Sequence, residues 1–184
     1  SISPSSFADA EVQPTVLKLR KQYIPTVTDG SDDTESYLKN EYEIVPGDNH
    51  KQRFRITADV ADGATVSGLS LQDVLPSPLV RVAQVDATPA GFADTSTGNT
   101  AKLEWSSITG TTNAVDAQFD IVFEVPYKDG GNAITWTRSI DNEATADASY
   151  GGTPLSQITE PIRDDDGGEQ QLTIRPMITQ KTVT

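Results

Sequence analysis

Apolar residues recur at every second position over short stretches of this chain, and clusters of Gly, Pro, Asp, Asn and Ser separate the stretches. That is the pattern of β-strands and turns. In 117–125, Ala117, Phe119, Ile121, Phe123 and Val125 share one face, while Gln118, Asp120 and Glu124 share the other. Successive side chains of a strand point to opposite sides, so this segment predicts one buried and one wetted surface. Gln52, Phe54, Ile56, Ala58 and Val60 form a second such set, opposed by Lys51, Arg53, Arg55 and Asp59. An antiparallel sheet with one solvated side reads this way. Further strands are predicted at 16–24, 41–45, 64–75, 79–85, 101–106, 133–149 and 171–176, and no long helical periodicity appears.

Turn chemistry falls between these segments, at Pro46-Gly47-Asp48-Asn49, Asp62-Gly63, Pro76-Ser77-Pro78, Thr97-Gly98-Asn99 and Lys128-Asp129-Gly130-Gly131. Short strands punctuated in this manner predict an all-β, antiparallel, immunoglobulin-like β-sandwich over 16–150, preceded by a linker at 1–15. The polar stretch 26–40 reads as an inserted loop. Residues 151–170 read as an acidic, Gly-rich linker, and 171–184 as a closing strand or the start of a following repeat. Leu172-Thr173-Ile174 repeats the pattern of Leu17-Lys18-Leu19, which implies a weak tandem repeat.

Charge narrows the partners. The 27 acidic residues against 14 basic give a formal net charge of −13, so nucleic acid is repelled rather than gathered. The same excess supplies oxygen ligands to divalent cations and suits a calcium-rich medium outside the cell, with Asp164, Asp165 and Asp166 as a candidate calcium-binding hinge. The bland reading of that run, and of Asp29, Asp32 and Asp33, is a solvated loop. No apolar run approaches the roughly 18 residues of a membrane-spanning helix, so no membrane insertion is expected. Residues 1–13 carry neither a basic patch nor an apolar stretch, and an export signal would lie outside this sequence. The absence of cysteine removes disulfides, thiolate metal sites and cysteine nucleophiles.

The residues that carry chemistry are polar groups which the alternation assigns to the core. Leu17, Leu19, Lys21 and Tyr23 share one face of the first strand, so Lys21 points inward while Lys18 and Arg20 point out. Leu69, Leu71, Asp73 and Leu75 share another inward face. Ile134, Trp136, Ile140, Asn142, Ala144 and Ala146 share a third, which places Asn142 inside; Arg138 has the same parity and marks its limit. Such groups cannot each stand alone in an apolar interior, where an unpaired polar group costs several kcal/mol by transfer estimates. They should meet. Desolvation lowers the pKa of a lysine and raises that of an acid, leaving an amine nucleophile beside a protonated carboxyl. Asp73 would polarise the Asn142 carbonyl for attack by Lys21, ammonia would leave, and a Lys–Asn isopeptide bond would remain after a single turnover.

Read in order, Leu17-x-Leu19-x-Lys21, Val45-Pro46-Gly47-Asp48 leading into Phe54-Arg55-Ile56-Thr57, Leu71-Gln72-Asp73-Val74-Leu75-Pro76 and Ile140-Asp141-Asn142-Glu143-Ala144-Thr145-Ala146 resemble the conserved repeat domain of large bacterial surface proteins. Relatives of that family are the isopeptide-forming domains of Gram-positive pilins and collagen adhesins. The resemblance spans roughly 16–150. It implies a cross-link between Lys21 and Asn142 promoted by Asp73, neighbouring repeats of the same polypeptide as partners, and a place on the bacterial cell surface. The long 26–40 loop departs from the family pattern, as does Pro176, which stands near where a lysine would recur.

The expected function is therefore an extracellular stalk or spacer module of an adhesin or giant surface protein, not an enzyme in the multiple-turnover sense, and the cross-link requires no cofactor. The non-covalent alternative is a buried salt bridge with an amide hydrogen bond. A one-residue slip at a bulge would make Lys18 the linked residue instead. The functional rival is an adhesion module that binds a host glycan or protein ligand, using the 26–40 insertion and aromatics among Trp105, Trp136, Tyr37, Tyr42, Tyr127 and Tyr150. A hydrolytic triad would have to rest on His50, the single histidine, in a loop.

Overall fold

Alternation becomes architecture where the apolar faces of two sheets meet. The computed structural model describes residues 15–24, 43–44, 46–47, 51–113, 115–135, 138–159 and 172–174. Its strands in chain order begin with β1 (Leu17–Ile24), β2 (Glu43–Ile44), β3 (Gln52–Val60), β4 (Thr65–Val74) and β5 (Val80–Thr88). They continue with β6 (Ala93–Asp94), β7 (Thr100–Thr109), β8 (Ala117–Glu124), β9 (Lys128–Asp129) and β10 (Asn132–Ala133). The last four are β11 (Arg138–Ile140), β12 (Ala144–Tyr150), β13 (Thr153–Ile158) and β14 (Leu172–Ile174). No helix occurs among the described residues.

One sheet has the order β1-β3-β8-β5 and the other β13-β12-β4-β7-β6. Every neighbouring pair in these two sheets is antiparallel. Across the sandwich β1 touches β12 and β13, β3 touches β4, and β7 touches β5 and β8. Phe54, Ile56, Phe119, Ile121 and Phe123 come from the first sheet and Leu69, Leu71, Leu103 and Trp105 from the second, all sealed from solvent. Each such side chain contributes roughly 1.5–3 kcal/mol by burial, and this core holds a chain with no disulfide. The fold is an immunoglobulin-like sandwich, as the alternation predicts.

The structure departs from the sequence reading in two of its strands and decides between two alternatives for a third segment. The predicted strand 133–149 is broken: β11 joins a small sheet of order β11-β14-β2, and β12 joins the five-stranded sheet. Asp141, Asn142 and Glu143 span the crossing without ladder partners, yet the inside-outside alternation runs through them. Residues 153–158 are strand rather than linker. They form a hairpin with β12, and its two-residue turn, Gly151-Gly152, has φ of 57° and 84°. Two left-handed residues are what a tight hairpin turn demands, and glycine adopts them without strain. Of the two readings of 171–184, closing strand or start of a following repeat, residues 172–174 fit the first: β14 pairs antiparallel with β11 and parallel with β2, and Ile174 is wholly buried.

A candidate self-cross-linking site

β1 lies at the edge of the four-stranded sheet and β4 at the heart of the other, so residues on their inner faces look at each other. Lys21 comes from β1, opposite Ile56 of β3. Asp73 comes from the last turn of the pleat in β4, opposite Ala144 of β12 on one side and Ala101 of β7 on the other. Asn142 precedes β12 by two residues and therefore shares the inward face of Ala144 and Ala146. The two alanines are small and fully buried, which leaves room for the longer polar side chains.

The three groups converge. Lys21 Nζ donates to Asp73 Oδ2 at 2.6 Å, and both side chains are 0% exposed. Asn142 Nδ2 stands 3.4 Å from the same oxygen, a long contact, and Asn142 is also buried. Asp73 Oδ1 is buried and receives no hydrogen bond from any of the described residues. Lys21 Nζ sits 4.4 Å from the centroid of Phe54, whose ring stacks on Phe123 with centroids 4.4 Å apart. Tyr23 closes the same region, tilted against Phe54 and donating its hydroxyl to Gln52 Oε1 at 2.8 Å. Lys18 faces solvent.

Burial decides the electrostatics. Desolvation lowers Lys21 to about 8, with the Asp73 charge and hydrogen bond and the Glu143 charge pulling the other way. Desolvation also raises Asp73 above the ordinary carboxylate range, against the opposing effects of Lys21 and Asn142. Both partners therefore move toward their neutral forms, and amine and carboxyl titrate as a coupled pair.

Other residues singled out by sequence fall elsewhere. Trp105 is in the core, packed against Phe92 and donating its indole N–H to the Pro89 carbonyl, so it forms no exposed platform. Tyr127 is exposed in the bend before β9 and Tyr150 is exposed at the end of β12. Asp164, Asp165 and Asp166 lie outside the described residues, as do the 26–40 insertion, Tyr37, Tyr42, His50, Trp136 and Pro176. Among the described residues no group of three or more acidic or histidine side chains could hold a metal ion.

Alternation misplaces Asp120, assigned to the wetted face of β8. It is 0% exposed beneath two arginines of the neighbouring strand. Arg55 donates through Nε and Nη2 to its two oxygens at 2.8 and 2.9 Å, and Arg53 Nη1 bridges it to Asp86 at 2.9 and 2.8 Å. The register pairs Arg55 with Asp120 directly, so opposite charges on paired strands are the signal that locates this cluster.

No protein-family model and no curated protein sequence matches this chain. Among solved structures, the chain is similar to the major pilin subunit BcpA of Bacillus cereus, with TM-score 0.53 and 10% identity over 87% of this chain and 40% of that one. It is also similar to the full-length major pilin SpaD from Corynebacterium diphtheriae, with TM-score 0.41 and 16% identity over 79% of this chain and 34% of that one. The chain thus spans well under half the length of these pilins, and its fold is that of a pilin immunoglobulin-like domain.

Proposed function

We propose that this chain is a structural module of an extracellular bacterial surface protein, stiffened by an isopeptide bond that Lys21 and Asn142 form with the help of Asp73. The convergence of an amine, a carboxyl and a carboxamide in a dry interior carries the reading. A half-turn of the Asn142 amide exchanges Nδ2 and Oδ1, so that a protonated Asp73 donates to the amide oxygen and draws electrons from Cγ. Neutral Lys21 Nζ attacks Cγ, the Nζ–Cγ bond forms and the Cγ–Nδ2 bond breaks. Asp73 relays a proton from Nζ to the departing nitrogen, which leaves as ammonia. The reaction needs no cofactor.

Simple ion pairing explains this geometry less well. A buried pair repays its desolvation only when its remaining valences are satisfied, and Asp73 Oδ1 has no partner among the described residues. The bond would close a loop of about 120 residues and stabilise by roughly 4–5 kcal/mol, by analogy with disulfide loop closure. Tension would pass from residue 21 to residue 142 through the link and bypass most of the sandwich, which suits a stalk or spacer between neighbouring repeats. Intact mass tests the proposal. We expect a deficit of one ammonia in purified protein, abolished in Lys21→Met after allowing for the substitution; the full sequence mass in folded wild-type protein would refute it.

A further inference from the structure

Asn142 is strung between two anchors. On one side Ile140 is held in the small sheet opposite Leu172, and on the other Ala144 enters the five-stranded sheet opposite Asp73. The ladder between β12 and β13 ends at the pair Thr145 and Ile158. One position further, Thr159 N donates to the Ala144 carbonyl at 2.9 Å, while Ala144 N donates to the Thr159 hydroxyl at 2.8 Å rather than to a backbone carbonyl. The hydroxyl thus takes the place of the Thr159 carbonyl in what would be a closely paired ring of the antiparallel ladder. Thr159 is itself buried, so water does not compete for either bond.

We infer that Thr159 is a positioning residue for the cross-link: its two hydrogen bonds to Ala144 fix where the chain enters β12 and so where Asn142 meets Asp73. The inference rests on the proposed reaction. Asn142 has no ladder bonds of its own, and its contact with Asp73 is already 3.4 Å, so release of Ala144 on its β13 side shifts the reacting carboxamide directly. Misplacement of a reacting group by about 1 Å can cost on the order of 100-fold in rate. β13 and the residue that ends it, a segment with the composition of a linker, thereby become part of the site.

Thr159→Val keeps the side-chain shape and removes the hydroxyl, whereas Thr159→Ser keeps the hydroxyl. The rate of ammonia loss, followed by intact mass in the folded fraction after a short induction, should fall at least ~10-fold in the valine variant and stay near wild type in the serine variant. Equal rates in wild type and Thr159→Val would overturn the inference. Should wild type lose no ammonia, the cross-link proposal fails by itself. The positioning is then read in a Lys21→Met background, where no bond can form. There the side-chain amide resonances of Asn142 should be dispersed and slow to exchange with Thr or Ser at 159 and averaged with Val. Identical resonances in all three backgrounds would refute a positioning role.

Discussion

Lys21 Nζ and Asp73 Oδ2 approach to 2.6 Å across the sandwich, and no solvent reaches either side chain. The contact joins the edge strand of one sheet to a central strand of the other, with the Phe54 ring along the lysine. Burial moves both the acid and the amine toward neutrality, the condition that the proposed reaction requires. Asp73→Ala should therefore fold, retain the full sequence mass and leave Lys21 unmodified. Far-UV circular dichroism with intact mass spectrometry checks this, and a cross-link formed without Asp73 would remove it from the mechanism.

The pH profile of the proposed reaction follows from the coupled titration of the pair. Neutral amine with protonated acid carries the same number of protons as the ion pair, so the reactive form stays a constant fraction while the pair holds one proton. The rate should be flat near neutrality and fall above about pH 8, as Lys21 and Asp73 together lose that proton. It should also fall in acid, where a second proton holds Lys21 as ammonium. Timed quenching and intact mass at a series of pH values would show the plateau and both limbs.

Stability of the unlinked protein should depend on pH in the opposite sense from a surface lysine pair. The folded pKa of Lys21 lies below its unfolded value, so between about 8 and the ordinary 10.5 the unfolded chain binds more protons. Stability of Asn142→Ala should thus rise across that interval, relative to Lys21→Met/Asn142→Ala. Urea titrations of the two variants at several pH values isolate the contribution. The linked wild type should exceed Asn142→Ala by roughly 4–5 kcal/mol, or about 10–20 °C in melting temperature.

Asp120 provides a control remote from the chemistry. Asp120→Asn weakens the charged contacts to Arg53 and Arg55 beneath which the residue is buried, and should cost about 2 kcal/mol by chemical denaturation. Ammonia loss in the folded fraction should be unchanged. A variant that folds but no longer cross-links would mean that the outer face of the sheet controls the inner one.

Under tension the link should divide the chain. Residues 22–141 lie inside the closed loop, whereas β12, β13 and β14 lie beyond it and remain in the path of force. Extended at ~3.5 Å per residue, a protected loop of about 120 residues makes the released contour length about 40 nm shorter than in Asn142→Ala. Single-molecule force spectroscopy reads that difference directly.

Lys21, Asp73 and Asn142 were legible because each lies on a strand-like segment whose inward neighbours are apolar, and a period of two survives even where Asp141, Asn142 and Glu143 cross between sheets. Asp120 was not. Its parity points outward, and only the arginines of the paired strand make that position dry. β13 was hidden for another reason: most of it is exposed at a sheet edge, so it has no apolar alternation, and Pro154 argues against a central strand. The Gly151-Gly152 pair is the feature that marks the hairpin. Thr159 carries no sequence signal at all, since its role arises from the hydroxyl that meets Ala144 at the end of the ladder.

A covalent bond between the Lys21 and Asn142 side chains can be seen by fragment mapping. Proteolysis of folded wild-type protein, followed by tandem mass spectrometry, should yield a branched peptide in which the segment containing Lys21 is joined to the segment containing Asn142, lighter than the two together by one ammonia. Recovery of both segments only as separate, unmodified peptides would mean that no such bond forms.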